Sequence, residues 1–540
     1  VSLTVLAELS GAHTDPSDVH VRGICLDSRS VQPADLYAAL PGFNVHGARF
    51  AADAVRAGAA AVLTDPEGAD LIADRDGEDW PREVPILVVP HPRGVLGRLA
   101  AAVYGEPASA LTMIGVTGTN GKTTTAYLLE SGLRALGHRT GLIGTVETRI
   151  GDERLESAHT TPESTDLHAF LAVMRDRGVD TCVMEVSSHA LHQHRVDGVV
   201  YDVALFTNLS QDHLDYHATM EDYFQAKASL FTPSRARAGI VCVDDEWGRR
   251  LAREAGVPVT TLATTTTTAT TTTTATTTSE AQADWVVTVT TESETAGSAV
   301  PPAPPTGDFR LHNRSDTVSL QLVSHLPGTF NVANTALAAV CLLRLGVSPE
   351  QVEAAFAAPP EVPGRMEVVS AGGPDGPRCI VDFAHTPDAV DAALAALRPS
   401  TSGRLIAVLG AGGDRDPGKR EAMGRAAAER ADVVVVTDDN PRSEDPATIR
   451  QTVLSGARQA VAEGTAAATQ VIDGGARSQA IAEAIALTVV DAREGLLVDT
   501  VVVLGKGHEK GQEISGVKHP FDDRDAVRSA LSAAGLGGPR

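Results

Sequence analysis

The segment Gly115-Val-Thr-Gly-Thr-Asn-Gly-Lys-Thr-Thr-Thr125 limits what this chain can fold into more than any other. An apolar run over 111–116 leads into it. A helical pattern follows, with Leu129, Leu133 and Leu136 on one face and Gly137 as its stop. A glycine-rich turn between a strand and a helix lets backbone N–H groups close on phosphate oxygens, and the helix N-terminus adds partial positive charge. In such a loop Lys122 reaches the outer phosphates and the Thr123 hydroxyl holds Mg2+. The strict G-x-x-x-x-G-K-[ST] spacing needs glycine at 116, where Val116 stands, so the loop is a G-T-N-G-K-T variant. A plain glycine turn before a helix is the simpler reading; the Lys-Thr after the last glycine favours the phosphate loop.

Strands and helices alternate on both sides of this motif, which predicts an α/β chain with mostly parallel sheets. Short strands at 24–26 and 60–63, and a helix over 48–57 ending at Gly58, predict a small α/β domain over 1–110. Strands at 181–186, 203–208 and 239–243 continue a central α/β domain over 111–362. Pro359, Pro360 and Pro363 mark the next boundary. Beyond it, strands at 405–409, 433–436, 469–472 and 501–504 alternate with alanine-rich helices, predicting a doubly wound domain over 363–540. Thirteen of the fifteen residues 264–278 are threonine, and 301–305 is proline-rich. Residues 262–306 are expected to form a mobile loop carrying one strand at 285–289.

The net charge of −24 argues against a nucleic-acid binder, which needs a basic face to displace counterions. It does not exclude anionic ligands held by a local loop. Five scattered cysteines without C-x-x-C fit a reducing cytoplasm and argue against a disulfide framework or zinc ribbon. No apolar run approaches the roughly 18 residues of a membrane span. Residues 1–20 lack the basic and apolar regions of a signal peptide, and a cytoplasmic protein is expected. A monomer is also expected.

Other motifs follow strands, where open α/β sheets bind ligands. Met184-Glu-Val-Ser-Ser-His-Ala190 places Glu185 where a metal-bound triphosphate would lie. It also admits a hydrolase reading through Ser187 or Ser188 with His189, disfavoured by the absence of G-x-S-x-G. Asn208-Leu-Ser-Gln-Asp-His-Leu-Asp-Tyr-His217 is either a polar helix-capping loop or a metal and substrate site with His213 as a ligand. Lys227 falls on a helix with Phe224 and Leu230, where a lone lysine usually faces solvent. In the third domain Gly410-Ala-Gly-Gly-Asp-Arg-Asp416, Thr437-Asp-Asp-Asn-Pro-Arg442 and Gly505-Lys-Gly-His-Glu509 all end strands. They converge on one sheet edge, where arginine beside carboxylates suits a zwitterionic ligand.

Taken together, G-T-N-G-K-T-T, E-V-S-S-H, N-L-S-x-D-H-L-D-Y-H, F-N-V-x-N, V-D-F-A-H-T-P, G-G-D-R-D, D-D-N-P-R and G-K-G-H-E resemble the Mur ligases of bacterial cell-wall synthesis, in that family's order over about 115–509. The resemblance implies three domains: a uridine-nucleotide-binding α/β domain, a P-loop ATPase-like α/β domain and a Rossmann-like α/β domain. It implies ATP at Gly118, Thr119, Asn120, Gly121, Lys122, Thr123, Thr124, Asn331, Arg365 and Asp382. It implies the UDP-muramoyl dipeptide at Leu26, Ser28, Asn44, Val45, His46, Thr160, Thr161, Ser187, Gln193 and Arg195. Mg2+ is implied at Thr123, Glu185, His213 and Lys227, the last as a CO2-derived N-carboxylysine. An incoming amino acid is implied at Arg415, Asp439, Asn440, Pro441, Arg442, Gly505 and Glu509, and D-D-N-P-R points to diaminopimelate, with lysine or another diamino acid as the alternative.

The implied catalytic residues are Lys122, Glu185, His213 and Lys227. Amide formation from a free carboxylate needs a better leaving group than oxide. Phosphoryl transfer supplies one as an acyl phosphate, which the amine attacks. A small-molecule P-loop kinase is a rival reading, but needs no amino-acid pocket on a third domain. Folylpolyglutamate synthetase is a rival within the fold, where D-N-P-R is not expected. A non-enzymatic nucleotide scaffold is disfavoured by the intact Lys122, Thr123, Glu185 and His213.

Overall fold

The computed structural model describes residues 1–12, 18–42, 44–74, 84–268, 283–291, 307–373, 376–414, 416–492 and 498–536. The first domain is a four-stranded parallel sheet of Gly23–Cys25, Asp35–Ala38, Ala61–Thr64 and Ile86–Val88, in that order, with helices on both faces. The helix expected over 48–57 is divided: a 3-10 turn, Gly47–Phe50, precedes the α-helix Ala51–Ala57, which ends at Gly58. The domain docks on the next through helix Pro92–Val103. Gly97 there lies so close to the Asp197 carbonyl that a Cβ would stand 2.2 Å from the oxygen. Arg93 donates to Glu163 at 2.9 Å across the same seam.

The central sheet has eleven strands among the described residues. Seven are parallel, in the order Trp285–Thr291, Val259–Thr268, Gly239–Cys242, Val203–Phe206, Thr112–Thr117, Thr181–Glu185 and Thr140–Ile143; antiparallel strands flank them on both sides. Apolar clusters cover both faces, so these strands read as nearly continuous buried runs. From Thr112–Thr117 the chain moves outward to Thr140–Ile143, back to Thr181–Glu185, then across to Val203–Phe206 on the other side. The phosphate loop leaves the strand at that reversal, the usual ligand crevice of such sheets.

The threonine tract departs from expectation. Residues 262–268 are not loop: they continue strand Val259–Thr268, which pairs in parallel with Trp285–Thr291, Leu262 opposite Trp285 and Thr268 opposite Thr291. Threonine is β-branched and suits a pleated surface, so low complexity did not exclude a strand. The remainder of the expected loop, 269–282 and 292–306, lies outside the described residues.

The main sheet of the last domain has six strands among the described residues, ordered Glu367–Gly373, Gly376–Asp382, Thr500–Leu504, Leu405–Leu409, Val433–Thr437 and Gln470–Gly475, and a separate antiparallel hairpin pairs Gly511–Ile514 with Val517–Pro520. In the main sheet all pairs are parallel except the first. Separate apolar clusters on its two faces make it doubly wound, and two of its strands escaped the sequence reading because glycines and Pro377 punctuate them. No described helix is long and apolar enough to cross a membrane.

A buried ion pair braces this sheet. Arg477 donates to Asp523 twice, at 2.7 and 2.8 Å, and to the Leu504 carbonyl at 2.9 Å, and both side chains are fully buried. Removing one partner strands a charge. Asp523→Ala should therefore lower the unfolding free energy of the last domain by about 3–5 kcal/mol. Thermal denaturation checks this; Asp525→Ala, which breaks the exposed pair with Arg528, should leave the transition in place.

Candidate functional site

The carboxyl ends of the central and last sheets face each other across a cavity of about 860 Å³. It is lined by Thr119–Thr124, Thr160, Thr161, Glu185, Ser187, Arg195, His213 and Asn331 from the central domain. Arg365, Asp382, Asp439, Asn440, Arg442, Gly505 and Glu509 line it from beyond the boundary. A groove of about 1000 Å³ on the outer face of the last domain touches none of the sequence motifs, and its Arg524 and Arg528 are paired with Asp522 and Asp525.

The phosphate loop is shaped by close approach. Gly118 has φ 147°, and a Cβ there would meet the Thr207 hydroxyl at 1.9 Å, so no other residue fits. Lys122 Nζ folds onto the Gly118 and Thr119 carbonyls at 3.0 and 2.8 Å. Thr123 Oγ1 donates to Glu185 Oε2 at 2.9 Å. Thr145, which no sequence motif indicated, gives Glu185 two further bonds: backbone N to Oε1 at 2.8 Å and Oγ1 to Oε2 at 3.1 Å. Arg365 Nη2 reaches Thr123 Oγ1 at 3.1 Å, joining the last domain to the loop. Hydroxyl and carboxylate oxygens beside a triphosphate loop are hard donors, so Thr123 and Glu185 fit Mg2+, which takes few protein oxygens and several from phosphates.

His213 stands apart from that pair: its Nε2 lies 3.5 Å from Asp212 Oδ2 and its ring 4.8 Å from that of His189. Burial, with Lys122, Lys227 and His189 near, holds its pKa down at about 3, leaving a neutral imidazole. Burial opposes ionisation of Asp212, yet His213, His385 and Lys419 keep it below the ordinary carboxylate range. His385 and Lys419 belong to the last domain, at 4.0 and 3.7 Å, so Asp212 is a charge contact between domains. Lys227 lies on helix Met220–Ala228 and is 1 % exposed, not solvated as a lone helical lysine would be. Its Nζ donates to the Gly118 carbonyl at 2.7 Å, the oxygen that Lys122 also uses. Burial and the neighbouring Lys122 push its pKa well below the ordinary lysine value.

Thr160, Thr161, Ser187 and Arg195 surround the base of Glu185: Thr161 Oγ1 donates to the Glu185 carbonyl at 2.8 Å, and Arg195 Nη1 to the Thr161 carbonyl at 3.3 Å. Gln193 accepts from Arg195 at 2.7 Å but does not line the cavity. Ser188 lies 3.0 Å from His217 Nε2 and is 1 % exposed, and Ser187 caps the helix Ser188–His192. Leu26, Ser28, Asn44, Val45 and His46 stay in the first domain, outside the cavity. His46 caps the turn Gly47–Phe50 and bonds Asp65 at 3.0 Å.

In the last domain the three predicted motifs leave adjacent strands and meet. Asn440 Nδ2 donates to Glu509 Oε2 at 3.0 Å. Lys506 Nζ, fully buried, donates to the same Glu509 oxygen at 2.9 Å and to Asn440 Oδ1 at 3.0 Å. Arg442 has φ 51° and donates to the Gly413 carbonyl, with Glu513 Oε2 3.6 Å from its Nε. Pro441 precedes it without lining the cavity, and Arg415 lies outside the described residues. Asp382 accepts from the Met366 and Ala384 amides at 2.7 and 2.8 Å. Asn331 bonds the Pro327 carbonyl at 2.8 Å and Asn334 at 3.2 Å. Lys419, His385 and Lys506 went unremarked as site residues, although each lies inside a quoted motif or a few residues beyond one.

Family models match nearly the whole chain: "Mur ligase family, catalytic domain" over 20–104, "Mur ligase middle domain" over 116–342 and "Mur ligase, glutamate ligase domain" over 364–527. The chain is 50% identical to the UDP-N-acetylmuramoyl-L-alanyl-D-glutamate–2,6-diaminopimelate ligase of Streptomyces avermitilis, covering 98% of this chain and 97% of that one. The enzyme of the same name from Corynebacterium glutamicum is 46% identical, over 95% and 92%. A solved structure of a ligase of that name superposes with a TM-score of 0.63 at 30% identity, covering 99% of each chain. A MurF ligase from Thermotoga maritima in complex with ADP shares the fold, with a TM-score of 0.58 at 17% identity over 96% and 99%. The cleft between two facing parallel sheets and the agreement along all three domains lead to one conclusion: this chain belongs to the Mur ligase family.

Proposed function

We propose that this chain is an ATP-dependent ligase that joins 2,6-diaminopimelate to the D-glutamate γ-carboxylate of UDP-N-acetylmuramoyl-L-alanyl-D-glutamate, in peptidoglycan precursor synthesis. One observation carries the reading: a phosphate loop and an arginine–carboxylate pocket open into one cavity, bridged by Arg365 on Thr123 at 3.1 Å. A kinase would need only the first half. The relatives' printed name supplies the substrates, and cysteines that are all free support a cytoplasmic setting.

The reaction follows from the lining. Lys122 and the loop amides hold the triphosphate, and Arg365 adds charge where the γ-phosphoryl moves to the substrate carboxylate. Mg2+ at Thr123 and Glu185 would offset charge on the phosphates. The amine of diaminopimelate then attacks the acyl phosphate, the C–N bond forms, and the C–O bond to phosphate breaks. Thr160, Thr161, Ser187 and Arg195 border the region into which the muramoyl dipeptide would bring its carboxylate, and the first domain would take its uridine end. Asn331 and Asp382 would hold the nucleoside. Lys227 is suited to N-carboxylation: a buried amine held well below its ordinary pKa gives up its proton more readily, and the free amine can attack CO2, lose a proton and become a carbamate anion beside Lys122. His213, neutral, would complete the metal-facing wall.

Incubation with UDP-muramoyl dipeptide, ATP and single amino acids, read by mass spectrometry, tests the assignment. Diaminopimelate should give a tripeptide product with ADP and phosphate; product from lysine at equal efficiency would overturn the amino-acid choice. Glu185→Gln should keep the fold, since Thr145 N still meets an oxygen, yet cut kcat by about 10²- to 10³-fold. Lys227→Ala should bind ATP normally, by calorimetry, and lose most turnover. Arg442→Ala should raise the KM for diaminopimelate and spare ATP and dipeptide. Arg442→Lys should rescue little, because a point charge does not replace a planar fork.

A further inference from the structure

The buried Lys506 does none of the work described so far. It is fully shielded and stands two residues past the end of strand Thr500–Leu504. Its three N–H donors meet a closed set of acceptors: Asn440 Oδ1 at 3.0 Å, Glu509 Oε2 at 2.9 Å and, more loosely, Asp439 Oδ1 at 3.9 Å. We propose that Lys506 is a positioning residue for the amino-acid pocket, holding Glu509 oriented to receive the ammonium of the incoming diamino acid. This rests on the diaminopimelate reading above and adds to it the group that sets the pocket's acceptor.

The geometry leaves little freedom. Asn440 Oδ1 accepts from both Lys506 and the Glu513 amide, at 3.0 Å each, which fixes the amide so that Nδ2 points at Glu509. Glu509 Oε2 thereby receives two donors, while Oε1 has no partner among the described residues and its side chain borders the cavity. A carboxylate with one saturated and one open oxygen is a directional acceptor. Its rotamer is set before the ligand arrives, so less ordering is lost on binding.

Charge gives Lys506 a second role. Asp439 and Glu509 are two carboxylates near one another, and Lys506 is the cation that touches both. Arg477 and Arg365 also add positive charge near Glu509, but their hydrogen bonds go elsewhere. Arg477 is committed to Asp523, Arg442 lies against Gly413 and Glu513, Arg365 reaches Thr123, and His508 is held neutral, its pKa lowered to about 3 by burial and by Arg365 and Arg524. Without Lys506 the two carboxylates lose the cation between them and repel, and Glu509 loses one of the two donors that fix its rotamer.

Lys506→Met, similar in length and uncharged, is the test. The KM for diaminopimelate should rise at least about tenfold. The KM values for ATP and UDP-muramoyl dipeptide, and kcat, should stay within about threefold. In a Glu509→Gln background the same substitution should add little, because Lys506 acts through Glu509. If the Met variant does not give a folded last domain, Lys506→Gln is measured against the same criteria. Unchanged diaminopimelate KM, an equal loss for all three substrates, or full additivity with Glu509→Gln would each overturn the proposal. Failure of the wild-type enzyme to use diaminopimelate at all would instead overturn the function on which it rests.

Discussion

Parallel strands joined by right-handed crossovers deliver every connecting loop to the same two edges, and the rest of this molecule depends on that constraint. In the central sheet the phosphate loop, Glu185, Thr145 and Asn208 all follow strand ends on one edge. In the last sheet Asp382, Gly410, Asp438 and Gly505 do the same. Bringing those two edges face to face makes a cavity without any dedicated element to enclose it. The cost is that neither half is a complete site, since Arg365 and Asp212 must each reach across.

An acidic chain that handles anions has to concentrate its cations. Lys122, Lys227 and Arg365 are gathered at the loop, with Lys419 and Arg442 opposite, while the formal charge of the whole chain is −24. Burial lowers the pKa of Lys122 and Lys227, and the two nitrogens meet at one carbonyl oxygen, Gly118 O. Two ammonium ions there repel, which adds to burial in lowering the pKa of Lys227.

The fold was legible where hydrophobic runs were bounded by sharp turns, as in 405–409, which is the observed strand residue for residue. It was less legible at Glu367–Gly373 and Gly376–Asp382, where glycine and proline interrupt the pattern although the second strand is a buried interior member of its sheet. Motifs revealed the residues that end strands. They did not reveal partners such as Thr145, whose value lies in a backbone amide that any residue possesses. Nor did they reveal that Lys227 is buried, because a single charged residue on a short helix carries no sign of which side will be covered. His46 shows the converse: it stands in a predicted contact segment, and its ring is engaged within its own domain by Ala48 and Asp65.

Strand Val259–Thr268 ends in five consecutive threonines, and a run of identical side chains carries no register information of its own. Its alignment is set upstream, where Leu262 and Val287 enter the apolar core and Leu262 lies opposite Trp285. Gain or loss of a threonine beyond that anchor therefore exchanges one residue for its twin along the paired edge and leaves the sheet and the cavity edge where they were. The protein can in this way tolerate a variable-length tract inside its catalytic domain, since the copy number of the repeat is invisible to the part of the structure that holds the site.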